Sequence, residues 1–172
     1  GDTPAAVTLS ALNVVIGACA EIQDLNRAFS TFEDVSNFFH LTPDTTSFKF
    51  LLKACSQFRN GAQPEAAVLV LEDMERAGFE ADSEAYRYLL LSLARGRQYA
   101  KMDDVIERLE YDNKTELLSA DTLACLAHHF AFEGDLTRAH TFHTQIAMLG
   151  LHAPSYLTQR LSQSDDDLLT SK

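Results

Sequence analysis

The sequence predicts an all-α protein, a right-handed α-solenoid of helix–turn–helix repeats. Three observations predict it. A helix end, a turn and a new helix start recur at nearly fixed intervals. Apolar residues between these joints fall at helical spacing. Equivalent slots of successive units hold equivalent residues, as a repeat array requires. The clearest joint is residues 74–82, MERAGFEAD, followed at once by SEAYRYLLL. It returns as LTPD before TTSFKFLL, LLSAD before TLACLA and AMLGLHAP before SYLTQRL.

Aligning the joints divides the chain into a lead-in, 1–7, and a repeat domain, 8–163. The repeats are 8–44, 45–82, 83–121 and 122–154, with a half repeat at 155–163 that lacks a second helix. An acidic tail, 164–172, carries the SDDD run and reads as frayed. Each first helix opens on Leu12, Phe48, Tyr86 or Leu123 and continues with Val15-Ile16, Leu51-Leu52, Leu89-Leu90 or Leu126-Ala127. Further along come Cys19, Cys55, Leu93 and Phe130, so two of the three cysteines are read as core fillers. Second helices place Ala28, Ala67, Met102 and Ala139 where they cross the first. They place Val35, Met74, Leu109 and Ile146 near their ends. Such stripes need a neighbouring helix to cover them. Turn chemistry agrees: Pro64 suits a helix start and Gly78 and Gly150 suit helix ends. Gly134 separates two helices of one hairpin, and Asp44, Asp82 and Asp121 suit caps of first helices.

With 172 residues, 46% of them hydrophobic, the chain is long enough for a proper core. No apolar run approaches the roughly 20 residues that span a bilayer, so no membrane partner is expected. The opening GDTPAAVT shows neither a signal peptide nor an Arg-rich transit peptide. Three separated cysteines in apolar runs point to reduced, buried thiols rather than a disulfide framework.

Among hairpin repeats, the tetratricopeptide pattern wants a Trp-Leu-Gly-Tyr set in its first helix, which is not met. The joint MERAGFEAD/SEAYRYLL resembles the pentatricopeptide repeat. In that pattern Met-x-x-x-Gly-Ile-x-Pro-Asp precedes an aromatic, a polar residue and two aliphatics. Ala81 stands where the pattern has Pro; HLTPD/TTSFKFLL keeps Pro-Asp and lacks the Gly. The resemblance covers residues 8–161. It implies single-stranded RNA, or ribosomal RNA, bound along the surface lined by first helices, about one base per repeat. It also implies a mitochondrial or plastid matrix location within a ribonucleoprotein such as a mitochondrial ribosome. The family's base-reading pair joins a polar residue early in the first helix to the last residue before the next repeat. Carried over, the pairs are Asn13 with Asp44, Lys49 with Asp82, and Arg87 with Asp121 or a nearby loop residue. Ala124 and Pro154 form the last pair. Asn13 with Asp44 matches a pyrimidine-reading pair, whereas Ala124 and Pro154 have no side chain to hydrogen-bond a base edge.

A net charge of −11 argues against indiscriminate nucleic-acid binding. Its distribution changes that meaning. From 45 to 59 the charged residues are Lys49, Lys53 and Arg59; from 85 to 101 they are Arg87, Arg95, Arg97 and Lys101. The acids Glu65, Glu72, Asp73, Glu75, Asp103, Asp104, Glu107 and Glu110 belong to second helices. The expectation is a basic wall of first helices, with Lys49, Lys53, Arg87 and Arg95 meeting the RNA backbone, and an acidic wall meeting proteins. Ordinary solvated helix faces are the plain alternative. Bases would need exposed rings to stack on, and Tyr86, Tyr88 and Phe50 are the suppliers that stand out.

His140 and His143 stand one turn apart, but no further ligand completes a metal set. The Asp165–Asp167 run lacks the glycine and spaced ligands of a calcium loop. No phosphate loop, nucleophile elbow or HExxH motif occurs, so no catalysis, cofactor, metal or small-molecule substrate is expected. The leading expectation is a non-catalytic RNA- and protein-binding repeat protein. The alternatives are a pure protein–protein scaffold akin to a tetratricopeptide adaptor, or a fragment of a longer RNA-processing factor.

Overall fold

The computed structural model describes residues 6–57 and 62–170, with 160 and 164–170 as backbone alone. Among them stand nine α-helices and one 3₁₀ turn. The first helices of the repeats are α1 (Leu9–Ile22), α3 (Thr45–Ser56), α5 (Ser83–Arg95), α7 (Ala120–Glu133) and α9 (Ser155–Thr170). The second helices are α2 (Leu25–Asn37), α4 (Pro64–Arg76), α6 (Tyr99–Tyr111) and α8 (Leu136–Met148). The fold is all-α, of the solenoid hairpin class. No helix among the described residues is long and apolar enough to cross a membrane.

Local chemistry sets these ends. The carboxylates of Asp44 and Asp82 accept the N–H groups of Ser47 (3.0 Å) and Ala85 (2.9 Å), so each caps a first helix. Pro64 opens α4, where its missing N–H would be unpaired anyway. Gly78 and Gly150 adopt φ of +89° and +69° just beyond α4 and α8. There the Phe79 N–H reaches the Met74 carbonyl and the Leu151 N–H reaches that of Ile146, closing Schellman turns.

One sequence expectation about caps is corrected. Ser119, not Asp121, caps α7: its hydroxyl accepts the Thr122 N–H at 3.2 Å. A 3₁₀ turn at Thr115–Leu117 and the buried Leu118 take up the longer connection. They bring Ser119 to the cap and leave Asp121 in the first turn, where a carboxylate also suits the helix dipole. A second difference lies at the C-terminal end, where α9 continues to Thr170. An Asp run costs a helix only a few tenths of a kcal/mol per residue, far less than Gly or Pro, so it does not compel fraying. Residues 1–5, Arg59 and 171–172, which entered the sequence reading, lie outside the described residues.

The chain divides into two compact units, Gly1–Tyr99 and Ala100–Lys172. In the first, α3 packs between α1 and α5, while α2 and α4 lie against the first helices. In the second, α7, α8 and α9 pack on one another. The Arg138 guanidinium of α8 donates to both carboxylate oxygens of Asp103 on α6, at 3.1 and 3.3 Å. The slots aligned in the sequence form the core. Ala28, Ala67, Met102 and Ala139 are fully buried, as are Val35, Met74 and Ile146. Cys19 and Cys55 are buried too, and burial pushes the Cys55 thiol up to about 12, so it stays protonated.

Val15 departs from its slot. Leu51, Leu89 and Leu126 are buried there, whereas Val15 is 42% exposed and its neighbour Val14 66%. Helices α3 and α5 each pack on a preceding first helix, and no helix before α1 is among the described residues.

Candidate functional site

The first helices position the candidate residues by a fixed offset from their caps. Asn13, Lys49 and Arg87 each stand five residues beyond Thr8, Asp44 and Asp82, one turn into the helix. Because α1, α3 and α5 lie side by side, such a residue reaches the cap of the next first helix.

Asn13 and Asp44 are in direct contact. Asn13 Nδ2 donates to Asp44 Oδ1 at 3.0 Å. The Ser47 hydroxyl donates to Asn13 Oδ1 at 2.7 Å and accepts the Asp44 N–H at 3.1 Å, completing a capping box. Asn13 is buried and Ser47 fully so. The Asn13 amide is thus engaged through both its oxygen and its nitrogen. It ties α1 to the start of α3.

Lys49 repeats the arrangement with charge. Its Nζ lies 3.0 Å from both Asp82 Oδ2 and Glu84 Oε2. Lys53 pairs with Glu21 of α1. Arg95 donates to the Ser56 carbonyl of α3. The Arg87 guanidinium carbon sits 5.2 Å from the Tyr88 ring centroid, with Nη2 at 3.4 Å from the Tyr88 hydroxyl. The structure therefore brings all seven candidates onto the first helices or caps of one unit. Asn13, Asp44, Lys49, Lys53, Asp82 and Arg95 are there joined to a neighbouring repeat.

The expected basic wall is corrected by two acids that sorting charge by segment had missed. Glu21 and Glu84 face Lys53 and Lys49, and with Asp44 and Asp82 they match the four cations Lys49, Lys53, Arg87 and Arg95. This face of the unit alternates in charge and has no surplus of cations among its described residues. Both missed acids lie about one repeat from their lysine, a signal available in the sequence.

Titration follows the contacts. Burial pushes the Asp44 carboxyl up, but the Ser47 N–H, the Asn13 amide and the Ser47 hydroxyl together hold it below its ordinary value. Burial likewise opposes ionisation of Asp82, and the Ala85 N–H and Lys49 outweigh it. For Lys49 burial acts downward, yet Glu84 and Asp82 raise it; for Lys53 the Glu21 contact raises it against burial. A carboxylate whose folded value is depressed adds stability above its unfolded value of about 3.9, and that stability is lost as pH falls through the folded value. The chain is therefore expected to lose stability as pH falls below about 4. Asp44→Asn and Asp82→Asn should flatten this acid limb in urea titrations from pH 7 to 3. An unchanged slope would refute the assignment.

The rings proposed for stacking are packed. Phe50 fills the space over Gly17, where an added Cβ would stand 3.2 Å from its ring. Tyr88 is buried with its hydroxyl donating to Glu84 Oε1 at 3.1 Å, and Tyr86 is half-buried. His143 Nε2 lies 3.3 Å from the Thr158 hydroxyl, and among the described residues no three metal-capable side chains gather.

Second helices present Glu65, Glu72, Asp73 and Glu75 on α4 and Asp104, Glu107 and Glu110 on α6 as exposed acids. Arg76 neutralises Asp73.

No family model matches the chain. A mitochondrial pentatricopeptide repeat-containing protein of Arabidopsis thaliana is 30% identical over 151 residues, covering 69% of this chain. The chain spans 22% of that relative's length. The crystal structure of the maize pentatricopeptide repeat protein PPR10 matches 94% of the chain at a TM-score of 0.71 and 20% identity, over 22% of its own length. PPR10 in complex with an 18-nt psaJ RNA element matches 90%, again at 0.71, with 16% identity and 22% of its length.

Proposed function

We propose an RNA-binding function from one premise: the chain belongs to the pentatricopeptide repeat family. The ligand is single-stranded RNA, a reading supported by the maize neighbour of the same fold, whose structure is in complex with an 18-nt psaJ RNA element. It lies along the first-helix faces, and the chain acts without catalysis inside an organellar ribonucleoprotein. A ribosomal subunit or an RNA-processing or assembly factor of mitochondria fits best, supported by the mitochondrial relative. The exposed acids of α4 and α6 suit protein neighbours of that assembly.

The observation that carries this reading is the offset placement of Lys49 and Arg87 on adjacent first helices. The ion pairs shape its strength. Lys49 must leave Asp82 and Glu84, and Lys53 must leave Glu21, to meet a phosphate. Binding by this chain alone is therefore weak and best seen at low salt.

Fluorescence-anisotropy titration with a single-stranded RNA in about 50 mM salt tests it. The wild-type chain should bind, and Lys49→Gln with Arg87→Gln should weaken binding and reduce the salt slope by about 0.7 per lost contact. Glutamine is preferred to glutamate, which would put a third carboxylate beside Asp82 and Glu84. Absence of binding, or binding and slope unchanged in the double variant, defeats the assignment.

A protein scaffold is the second reading, favoured by the equal count of cations and acids on the first-helix face. It expects native material to carry proteins and no RNA.

A further inference from the structure

We propose that Glu21 and Glu84 set the affinity of the first-helix face, as two internal competitors that an RNA phosphate must displace from Lys53 and Lys49. The proposal rests on the RNA-binding reading above and adds to it the residues that limit that binding.

Three acids hold the two lysines of α3, and they are not alike. Asp82 has a structural task of its own, because its Oδ1 accepts the Ala85 N–H and caps α5. Glu84 adds a second carboxylate to the same ammonium: Lys49 Nζ lies 3.0 Å from Asp82 Oδ2 and 3.0 Å from Glu84 Oε2. One positive charge thus faces two negative ones, and this corner of the face is net negative. The Glu21 contact is the chief cause that holds the Lys53 ammonium up against burial, and Glu84 adds to it at longer range. Glu84 therefore acts on both cations. Glu21 lies in the last turn of α1, where the helix dipole disfavours a carboxylate. Helix formation does not explain an acid there; its contact with Lys53 does.

Exposure gives the two glutamates the outer place. The Lys49 and Lys53 side chains are 21% and 23% exposed, against 44% for Glu84 and 61% for Glu21. A phosphate arriving from solvent meets these carboxylates first, and like charges repel it. To take a lysine it must break the ion pair and leave a carboxylate behind without its cation. Exposed ion pairs of this kind add little to stability. Their larger effect falls on a polyanion, whose binding draws mainly on phosphate contacts.

Glu84→Gln and Glu21→Gln test the assignment. Glutamine removes the charge and keeps an oxygen for the Tyr88 hydroxyl, which donates to Glu84 Oε1. Fluorescence anisotropy with a single-stranded oligouridylate in about 50 mM salt reads the affinity. Each variant should bind about fivefold tighter than the wild type, the factor that one unit charge at contact is worth in water. The salt slope should steepen by up to about 0.7, one further phosphate contact. Glu72→Gln, on second helix α4, removes the same formal charge and should change affinity less than about twofold. In the Lys49→Gln background the Glu84→Gln gain should fall below about twofold, because the cation it frees is gone. Circular dichroism checks that every variant folds. Gains no larger than that of Glu72→Gln, or a Glu84→Gln gain undiminished without Lys49, would overturn the competitors and leave wild-type RNA binding standing. Binding that emerges only in the two glutamine variants would support both readings. No binding by the wild type or by either variant would instead defeat the RNA reading, and the competitors with it.

Discussion

Phe130→Ala is expected to destabilise the chain by about 3–5 kcal/mol, the cost of emptying a well-packed aromatic site. Phe130 is fully buried on α7. Its ring stacks on Phe142 of α8 with centroids 5.8 Å apart and planes 16° from parallel. The Arg138 guanidinium carbon lies 5.6 Å from the Phe130 centroid. The same guanidinium forks onto Asp103 of α6, so the ring helps place the cation that links α8 to α6. Alanine would leave a cavity and free Arg138 to choose other partners. Urea unfolding followed by circular dichroism measures the loss. Phe132→Ala, two residues on but exposed, serves as the control and should stay within about 0.5 kcal/mol. A Phe130→Ala loss below about 1 kcal/mol would mean that the α7–α8 core collapses into the space, contrary to the packing described.

The same slot shows what the sequence could and could not reveal. Cys19, Cys55, Leu93 and Phe130 align by repeat phase, and all four are buried. Helical spacing alone places them, because burial of one face per helix is a periodic property. Cap identity was less legible. Ser119 and Asp121 are both good cap residues, and choosing between them depends on how the 3₁₀ turn before them spends its length. Val15 fits the aliphatic pattern of Leu51 and Leu89, yet its exposure depends on whether another helix lies over α1, which no local pattern records.

The placement of the candidate residues on the first helices was legible in the sequence, and their partners were not. Offsets from the joints put Asn13, Lys49 and Arg87 in equivalent places, as observed. Sorting charge helix by helix hid the fact that Lys53 meets Glu21 and Lys49 meets Glu84, because those contacts run one repeat along the chain. Ring identity was equally silent about direction. Phe50 turns onto Gly17, while Tyr156 and Phe132 stand in solvent. One-repeat contacts also reach the second helices: Gln98, just before α6, donates to Glu65 at 3.4 Å, and Gln145 donates to Glu110 at 3.2 Å.

Asn13→Ala then discriminates between two roles for the pair that best matches a base-reading code. In the structure Asn13 holds α1 to α3 through Asp44 and Ser47. Removing it leaves the fully buried Ser47 hydroxyl without its 2.7 Å acceptor and takes one donor from the Asp44 carboxylate. Hydrogen bonds to charged or buried groups of this kind are each worth about 1–3 kcal/mol when one partner is deleted. A loss of roughly 2 kcal/mol is therefore expected. Asp44→Ala forfeits the α3 cap as well, adding about 1 kcal/mol. The double variant should cost less than the two together by at least about 0.5 kcal/mol, because the shared bond can be broken only once. Strict additivity would contradict the network. A base-reading Asn13 would behave in the opposite way, with stability held within about 0.5 kcal/mol and RNA preference altered. The expected outcome is a stability loss with relative affinities for uridine-, cytidine- and adenosine-rich strands unchanged. That result would assign Asn13 to the joint between repeats and leave discrimination among bases to other contacts.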